Sequence, residues 1–259
     1  GFGFVSVAVY WVREYILYIV KAGHIAVMVE LLQGKELPMG RGQIEHAKAV
    51  VTERFVETNV LFAVDQLIKG VIRAITGLFG GIAAFLPIPG LDGLVRFVNS
   101  VIRMSLTFVD EIILGYGIQT HGDNPWASAR TGIILYAQNG KTMVKNAIWL
   151  SVFMWIISIA VFLLFLAPAG AILYYFPGQA GGWGFVVAIV FAWAFKAALL
   201  EPFAIAALMD VYFRTIEGQT PNAEWEQRLN EASTKFRDLG QKAYDWIRGR
   251  PAGMPSGGH

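Results

Sequence analysis

The feature that most limits what this chain can fold into is a run of fifty residues, 146–195, without a single Asp, Glu, Lys, Arg or His. A bilayer core about 30 Å thick is crossed by roughly 20 apolar residues of helix, so this run is long enough for two crossings. Over the whole chain only 15% of residues are charged and 55% are hydrophobic, whereas soluble domains are about 25% charged. The composition excludes a soluble enzyme, a disordered tail, a nucleic-acid binder and a disulfide scaffold. It predicts an all-α, polytopic helical membrane protein.

The predicted membrane domain covers residues 1–218. Its clearest spans are 147–175 and 183–210, which form a hairpin around a short uncharged turn. The first of them is longer than a bilayer requires, which predicts either a tilt or a break at Pro168. Three further segments are less regular: residues 2–32, a stretch at 74–91 interrupted by Gly and Pro, and residues 94–118. Interrupted apolar sequence is typical of a broken or re-entrant helix, which is tolerated where protein or water surrounds it.

The distribution of Lys and Arg predicts the orientation. Residues 35–73 contain six of them, residues 124–145 three and residues 214–250 seven, but the hairpin turn at 176–182 contains none. The positive-inside rule places that turn outside the cell and the loop at 121–146, together with the C-terminus, in the cytoplasm. We therefore expect a multi-pass protein of the cell membrane.

Residues 43–73 form a predicted amphipathic helix. Asp65, Lys69 and Arg73 recur every four residues and share one stripe, surrounded by apolar residues. The stripe is consistent with an interfacial or partner-packed helix whose charges are solvated, or with the polar lining of a pathway.

Residues 219–247 form a predicted cytoplasmic amphipathic helix, with Thr220 as N-cap and Pro221 in its first position. Its apolar residues alternate steps of four and three for about three heptads: Trp225, Leu229, Ala232, Phe236, Leu239, Ala243 and Trp246. We expect this stripe to pack on the protein's own cytoplasmic surface, against the 43–73 helix. A membrane-protein partner or a second copy bound through 221–247 is the alternative. Residues 248–259 are Gly/Pro-rich and predicted to be disordered.

Sequence motifs give no support for catalysis. The four histidines show no metal-ligand spacing, and no phosphate-binding loop or nucleophile elbow occurs. The sequence predicts no enzyme, no cofactor and no metal site. Ionisable residues in predicted spans are the candidates for function: Lys196, Glu201, Asp210, Asp110 and Glu111.

Lys196 and Glu201 are five residues apart, about 140° around an α-helix, and share no face unless Pro202 distorts the turn. Either each pairs with another helix or Lys196 reaches toward the membrane surface; the functional alternative is that both line a polar cavity. Asp110 and Glu111 are possible partners for Lys196 or Arg103, and the sequence does not assign the pairs.

Residues 128–139 read Ser-Ala-Arg-Thr-Gly-Ile-Ile-Leu-Tyr-Ala-Gln-Asn. This stretch resembles the choline transporter-like family, whose C-terminal membrane domain carries a Ser-Ala-Lys/Arg stretch ending in Asn at the same spacing. The matching residues are Ser128, Ala129, Arg130 and Asn139. Residues 208–213 are similar to that family's last span, where an apolar pair precedes Asp-Val. The resemblance covers about residues 10–220 and implies a shared helical architecture; it carries over no choline-binding residue.

Two functions remain. The first is a transporter-like membrane protein that moves a small polar or cationic solute or a lipid headgroup. The second is a non-catalytic membrane subunit or scaffold of a larger assembly. Both have the lipid bilayer as a partner, and neither involves nucleic acid.

Overall fold

The structure is a computed structural model. It describes residues 2–35, 42, 45, 60, 62–73, 106, 108–120, 122–175 and 181–249. The predicted broken segment at 74–91 lies outside the described residues, as do most of the predicted elements at 43–73 and 94–118 and most of the predicted disordered tail.

The described residues contain helices and no strand, which confirms the all-α class for this part of the chain. The helices are α1 (Phe2–Leu32), α2 (62–73), α3 (Val109–Thr120), α4 (Pro125–Gln138), α5 (Gly140–Tyr175), α6 (Gly181–Phe195), a π-helical turn (Lys196–Leu200), α7 (Glu201–Ile216), α8 (Ala223–Ala232) and α9 (Thr234–Gly249).

Three of these helical stretches are long and apolar enough to cross a membrane: Val9–Leu32, Gly140–Pro168 and Val186–Ile216. They correspond to the predicted spans at 2–32, 147–175 and 183–210. Helix α5 continues through Pro168 to Tyr175, so the alternative of a helix break at this proline is wrong. The described part of the chain is therefore that of a membrane protein with three candidate spans.

Helices α5 and α6 pack along each other as an antiparallel pair, which continues into α7. Phe165 meets Phe191 with ring centroids 5.7 Å apart, and Phe153 meets Phe203 at 6.0 Å. Both pairs have the same residue-number total, as an antiparallel register requires. The outer surface of this hairpin is apolar and exposed, with Leu164 70% accessible, which suits a lipid-facing position.

The remaining helices form a bundle with one continuous apolar core around α3. Ile112 and Ile113 of α3 are fully buried. At Gly115 the absence of a side chain lets the neighbours approach, since a Cβ there would lie 2.8 Å from the side chain of Met209 on α7 and 3.4 Å from Val29 on α1. Helix α3 is thus held between two candidate spans.

Three tyrosines join α3, α4 and α7 in the same core. The buried Tyr212 hydroxyl donates to the Gly132 carbonyl at 2.9 Å, and its ring lies 6.0 Å from those of Tyr116 and Tyr136. Burial raises the pKa of Tyr136 above its usual value. The hydrogen bond satisfies a hydroxyl that would otherwise destabilise the core.

The C-terminal region forms two helices, α8 and α9, where one had been predicted. Asn222, rather than Thr220, caps α8, because its side chain accepts from the backbone N–H groups of Glu224 and Trp225. A break at Ser233 separates the helices, and the Ser233 hydroxyl accepts from the N–H of Phe236 at 3.2 Å. Like Thr220, Asn222 offers a side-chain oxygen as acceptor, but it lies two residues closer to the start of the helix.

The apolar stripe of the tail folds back on the bundle. Leu229, Phe236 and Leu239 are buried and pack mainly against α4. Among the described residues the tail also meets the predicted 43–73 helix, where the Lys235 side chain lies beside Gly70. The tail is therefore an internal part of the fold.

Candidate functional site

Five ionisable side chains from three helices meet inside the bundle, and we call them the charge cluster. Lys21 comes from α1, Asp65 and Lys69 from α2, and Asp110 and Glu111 from α3. Such a concentration of charge inside an apolar helical bundle is costly and marks a candidate functional site.

Lys21 lies at the centre of the charge cluster. Its Nζ is 2.5 Å from Asp110 Oδ2, 2.9 Å from Glu111 Oε1 and 3.7 Å from Asp65 Oδ1. The second lysine, Lys69, contacts Asp65 at 2.8 Å. A single ammonium group thus links α1 to both of the other helices.

Burial strengthens the ion pairs of the charge cluster, and it raises the free-energy cost of any polar atom that is left without a hydrogen bond. The side chain of Asp65 is 1% exposed, that of Asp110 8% and that of Glu111 13%. Among the described residues, two carboxylate oxygens in this setting, Asp65 Oδ1 and Glu111 Oε2, accept no hydrogen bond, and the buried Tyr18 hydroxyl has no hydrogen-bond partner. Most buried polar atoms in proteins are hydrogen-bonded, so these orphaned atoms set the cluster apart from an ordinary structural ion pair.

Local helix geometry explains how the sequence brings these groups together. Asp65 and Lys69 are four residues apart and therefore neighbours on α2. Asp110 and Glu111 occupy the first turn of α3, where the helix dipole favours acidic groups. Lys21 lies where α1 passes from an exposed half to a buried half, between Val20 and Ala22.

Two of the predicted candidates, Asp110 and Glu111, therefore do lie in one site. Their partner is Lys21, not the predicted Lys196; Arg103 lies outside the described residues. The interpretation of the α2 stripe as solvated is wrong for Asp65, which is fully buried, although Arg73 at the end of the stripe is exposed. Asp65 is buried because its stripe faces α1, which supplies the compensating Lys21.

Lys196 and Glu201 are placed differently from the expectation that each is buried against another helix. A π-helical turn runs from Lys196 to Leu200, and the Glu201 N–H donates to the Lys196 carbonyl. This i→i+5 bond widens the turn ahead of Pro202 and brings the two residues one above the other. Lys196 is exposed and Glu201 half-buried, and neither forms an ion pair with another described residue. The expected burial is therefore wrong for Lys196, and the described residues provide no interhelical partner for either side chain.

Asp210, the remaining candidate, lies outside the charge cluster. It pairs with Arg214 at 2.9 Å and lines a cleft of about 470 Å³ at the end of the bundle. Tyr116, Gln119 and Phe213 also line this cleft, so polar and aromatic walls face one another there.

The four residues that resemble the choline transporter-like motif lie on or at the end of α4. Ala129 is buried, and Ser128 lies close to Gly122. Arg130 binds Glu226 of α8 at 2.8 Å and stacks over the Phe236 ring of α9. Asn139 ends the helix by donating to the Leu135 carbonyl at 2.9 Å. Among these contacts, those of Arg130 fasten the tail to α4.

Sequence reasoning missed Lys21 as a site residue, and it gave Asp65 and Lys69 only an alternative role in the polar lining of a pathway. The available signal was a lysine inside an apolar span, an aspartate on the apolar side of an amphipathic helix and an acidic pair at a helix start. No pattern joins these three positions along the chain. Within the described residues no group of three or more His, Cys, Asp or Glu side chains is arranged to hold a metal ion.

The comparisons with known proteins add no relative: no family model, no curated protein and no solved structure matches the chain.

Proposed function

We propose that this chain is a transporter-like membrane protein that moves a small polar or cationic solute. The observation that carries the proposal is the charge cluster. Five ionisable groups held in an apolar bundle, with two carboxylate oxygens that find no donor among the described residues, provide a polar centre that a purely structural helix contact does not need.

Helix α3 supports the proposal by joining the charge cluster to the cleft. Glu111 lies in its first turn, and Tyr116 of the cleft follows five residues later, about 7.5 Å along the helix axis. A solute entering the cleft would meet the aromatic ring of Tyr116, the Asp210–Arg214 ion pair and the carboxylate of Glu217. These three charged side chains carry a net negative charge, which together with the ring suits a cation. The resemblance to the choline transporter-like family points to the same class of solute.

A flux measurement in proteoliposomes tests the proposal, with radiolabelled choline as the cationic probe and mannitol as the neutral one. We expect uptake of one probe above that of empty liposomes. Glu111→Gln keeps the side-chain size but replaces the carboxyl group by an amide that cannot ionise. This variant should slow uptake by about tenfold, equivalent to about 1.4 kcal/mol. Asp245→Asn, on the exposed face of α9, is the matched control. Uptake equal to that of empty liposomes for both probes contradicts the proposal.

A second candidate function is a non-catalytic subunit or scaffold of a larger membrane assembly. It is favoured by the exposed Lys196, which lies within an apolar candidate span of which only 11% is buried. The tail is less suited to such docking than its sequence suggested, because α4 already covers its apolar stripe. A native mass well above that of one chain plus detergent, with a second protein that co-purifies, would support this candidate if no flux is found.

We predict that the hairpin turn faces outside and that the C-terminal region is cytoplasmic. The chain has no cysteine, so single cysteines can be labelled without background. In intact cells, a membrane-impermeant maleimide should label Gln179→Cys but not Thr220→Cys. Leu164→Cys should not be labelled, because this position is exposed on the apolar surface of α5 and would face lipid.

Thr220 is preferable to the nearby Gly218, whose φ of 70° is a conformation that other residues rarely adopt. Labelling of Thr220→Cys in intact cells, with Gln179→Cys protected, would reverse the proposed orientation.

A further inference from the structure

The charge cluster holds one more acidic group than basic groups. Three carboxylates face two ammonium groups, so the formal charge is −1 when all five are ionised. The excess can be located. Lys69 contacts Asp65 at 2.8 Å, whereas Lys21 lies closer to Asp110 and Glu111, at 2.5 and 2.9 Å, than to Asp65, at 3.7 Å. The surplus negative charge therefore belongs to the Asp110–Glu111 pair.

Nothing else around this pair supplies a second positive charge among the described residues. From α1 the neighbouring groups are Lys21 and the neutral Tyr18, and from α2 they are Asp65 and Lys69. In the described part of the chain, α7 brings Met209 and α4 brings Gly132 against α3. Neither helix forms an ion pair with α3 there, and Arg130 of α4 binds Glu226 of α8. A carboxylate buried without compensation is strongly disfavoured, and such a group commonly takes up a proton instead.

The unpartnered atoms identify which oxygen is affected. Asp110 has the shortest contact with Lys21, at 2.5 Å. Glu111 contacts Lys21 through Oε1, and within the part of the chain that the structure describes its buried Oε2 has no donor. A proton on Glu111 removes the surplus charge and replaces a buried carboxylate by a neutral carboxyl group, while Asp110 keeps its ion pair.

We infer that the Asp110–Glu111 pair is a proton-binding site that holds one proton on Glu111 at neutral pH and leaves the charge cluster electrically neutral. The bound ligand is a proton taken from water, and no covalent chemistry accompanies it. The proton site lies in the charge cluster on which the proposed transport rests, but infrared spectroscopy detects the proton without any flux, so either proposal can fail without the other.

Infrared spectroscopy of the purified full-length protein tests the site directly, because a protonated carboxyl has a carbonyl band that a carboxylate lacks. At neutral pH we expect this band in the wild-type protein and a small shift of it in heavy water. Biosynthetic labelling with carbon-13 glutamate should shift the band further, whereas carbon-13 aspartate should not. These measurements need no substitution and do not depend on a variant folding.

Three variants locate the proton. Glu111→Gln should abolish the band. Asp110→Asn should abolish it too, although Glu111 is still present, because the surplus charge is gone and Glu111 can ionise beside Lys21. Asp245→Asn, far from the cluster on α9, should leave the band unchanged.

The absence of the band from the wild-type protein at neutral pH would overturn the inference, and so would a band that responds to aspartate labelling alone. A band that persists in Glu111→Gln places the proton elsewhere and also refutes the site.

Discussion

Replacement of Lys21 by methionine is expected to destabilise the protein more than any other single substitution in the membrane domain. Methionine keeps the length and apolar volume of the side chain but removes the ammonium that contacts Asp110, Glu111 and Asp65. Loss of one partner from a buried ion pair costs about 3–5 kcal/mol, because the other charge is left uncompensated. For a domain of this size the melting temperature should fall by about 6–20 °C.

The measurement is thermal unfolding of the detergent-solubilised protein, with Lys141→Met as the control, since Lys141 is exposed at the start of α5. Combining Lys21→Met with Asp110→Asn and Glu111→Gln removes the stranded charges and should restore most of the lost stability, while Asp65 keeps Lys69. If Lys21→Met and Lys141→Met have the same melting temperature, the lysine does not hold the three helices together.

The candidate spans were the most predictable part of the fold, and the reason is physical. A bilayer demands about 20 apolar residues irrespective of tertiary contacts, so residues 147–175 and 183–210 reveal themselves by composition. The ends of the tail helices were less predictable. Asn222 and Thr220 both offer a capping oxygen, and only the position of the following chain decides between them.

The charge cluster could be predicted only in part. An acidic pair such as Asp110–Glu111 in an apolar segment is visible in the sequence, but the identity of its partner depends on how helices α1, α2 and α3 pack. Lys196 illustrates the opposite error. Its position in an apolar span suggests burial against a partner, yet it lies on the exposed side of a π-helical turn. Long-range pairing of this kind has no periodicity along the chain, so it escapes pattern reasoning.

The second large effect is expected at Phe236, where the tail meets the bundle. The Phe236 side chain is fully buried, and the Arg130 guanidinium lies 5.1 Å from the centre of its ring. Truncation to alanine leaves a cavity between α9 and α4 and removes the cation–π contact. Substitutions of this kind in a core cost about 3–5 kcal/mol, which is enough to detach α8 and α9 from the bundle.

Limited trypsin digestion of the detergent-solubilised protein, together with thermal unfolding, measures this detachment. Phe236→Ala should melt lower and lose its C-terminal fragment much faster than the wild type, because Arg237 and Lys242 on α9 become accessible in a detached tail. Tyr244→Ala is the matched control: this residue is also an aromatic on α9 but is 52% exposed, and its truncation should change stability by no more than about 0.5 kcal/mol.

The two aromatic variants also decide what the apolar stripe of the tail is for. If Phe236→Ala and Tyr244→Ala behave alike in isolation, the contact with α4 does not stabilise the purified chain, and the stripe is available to a partner. If only Phe236→Ala is destabilised, α4 is the surface that the stripe covers. Arg130 then acts as the fastener that joins both tail helices to the bundle, through Glu226 on α8 and Phe236 on α9.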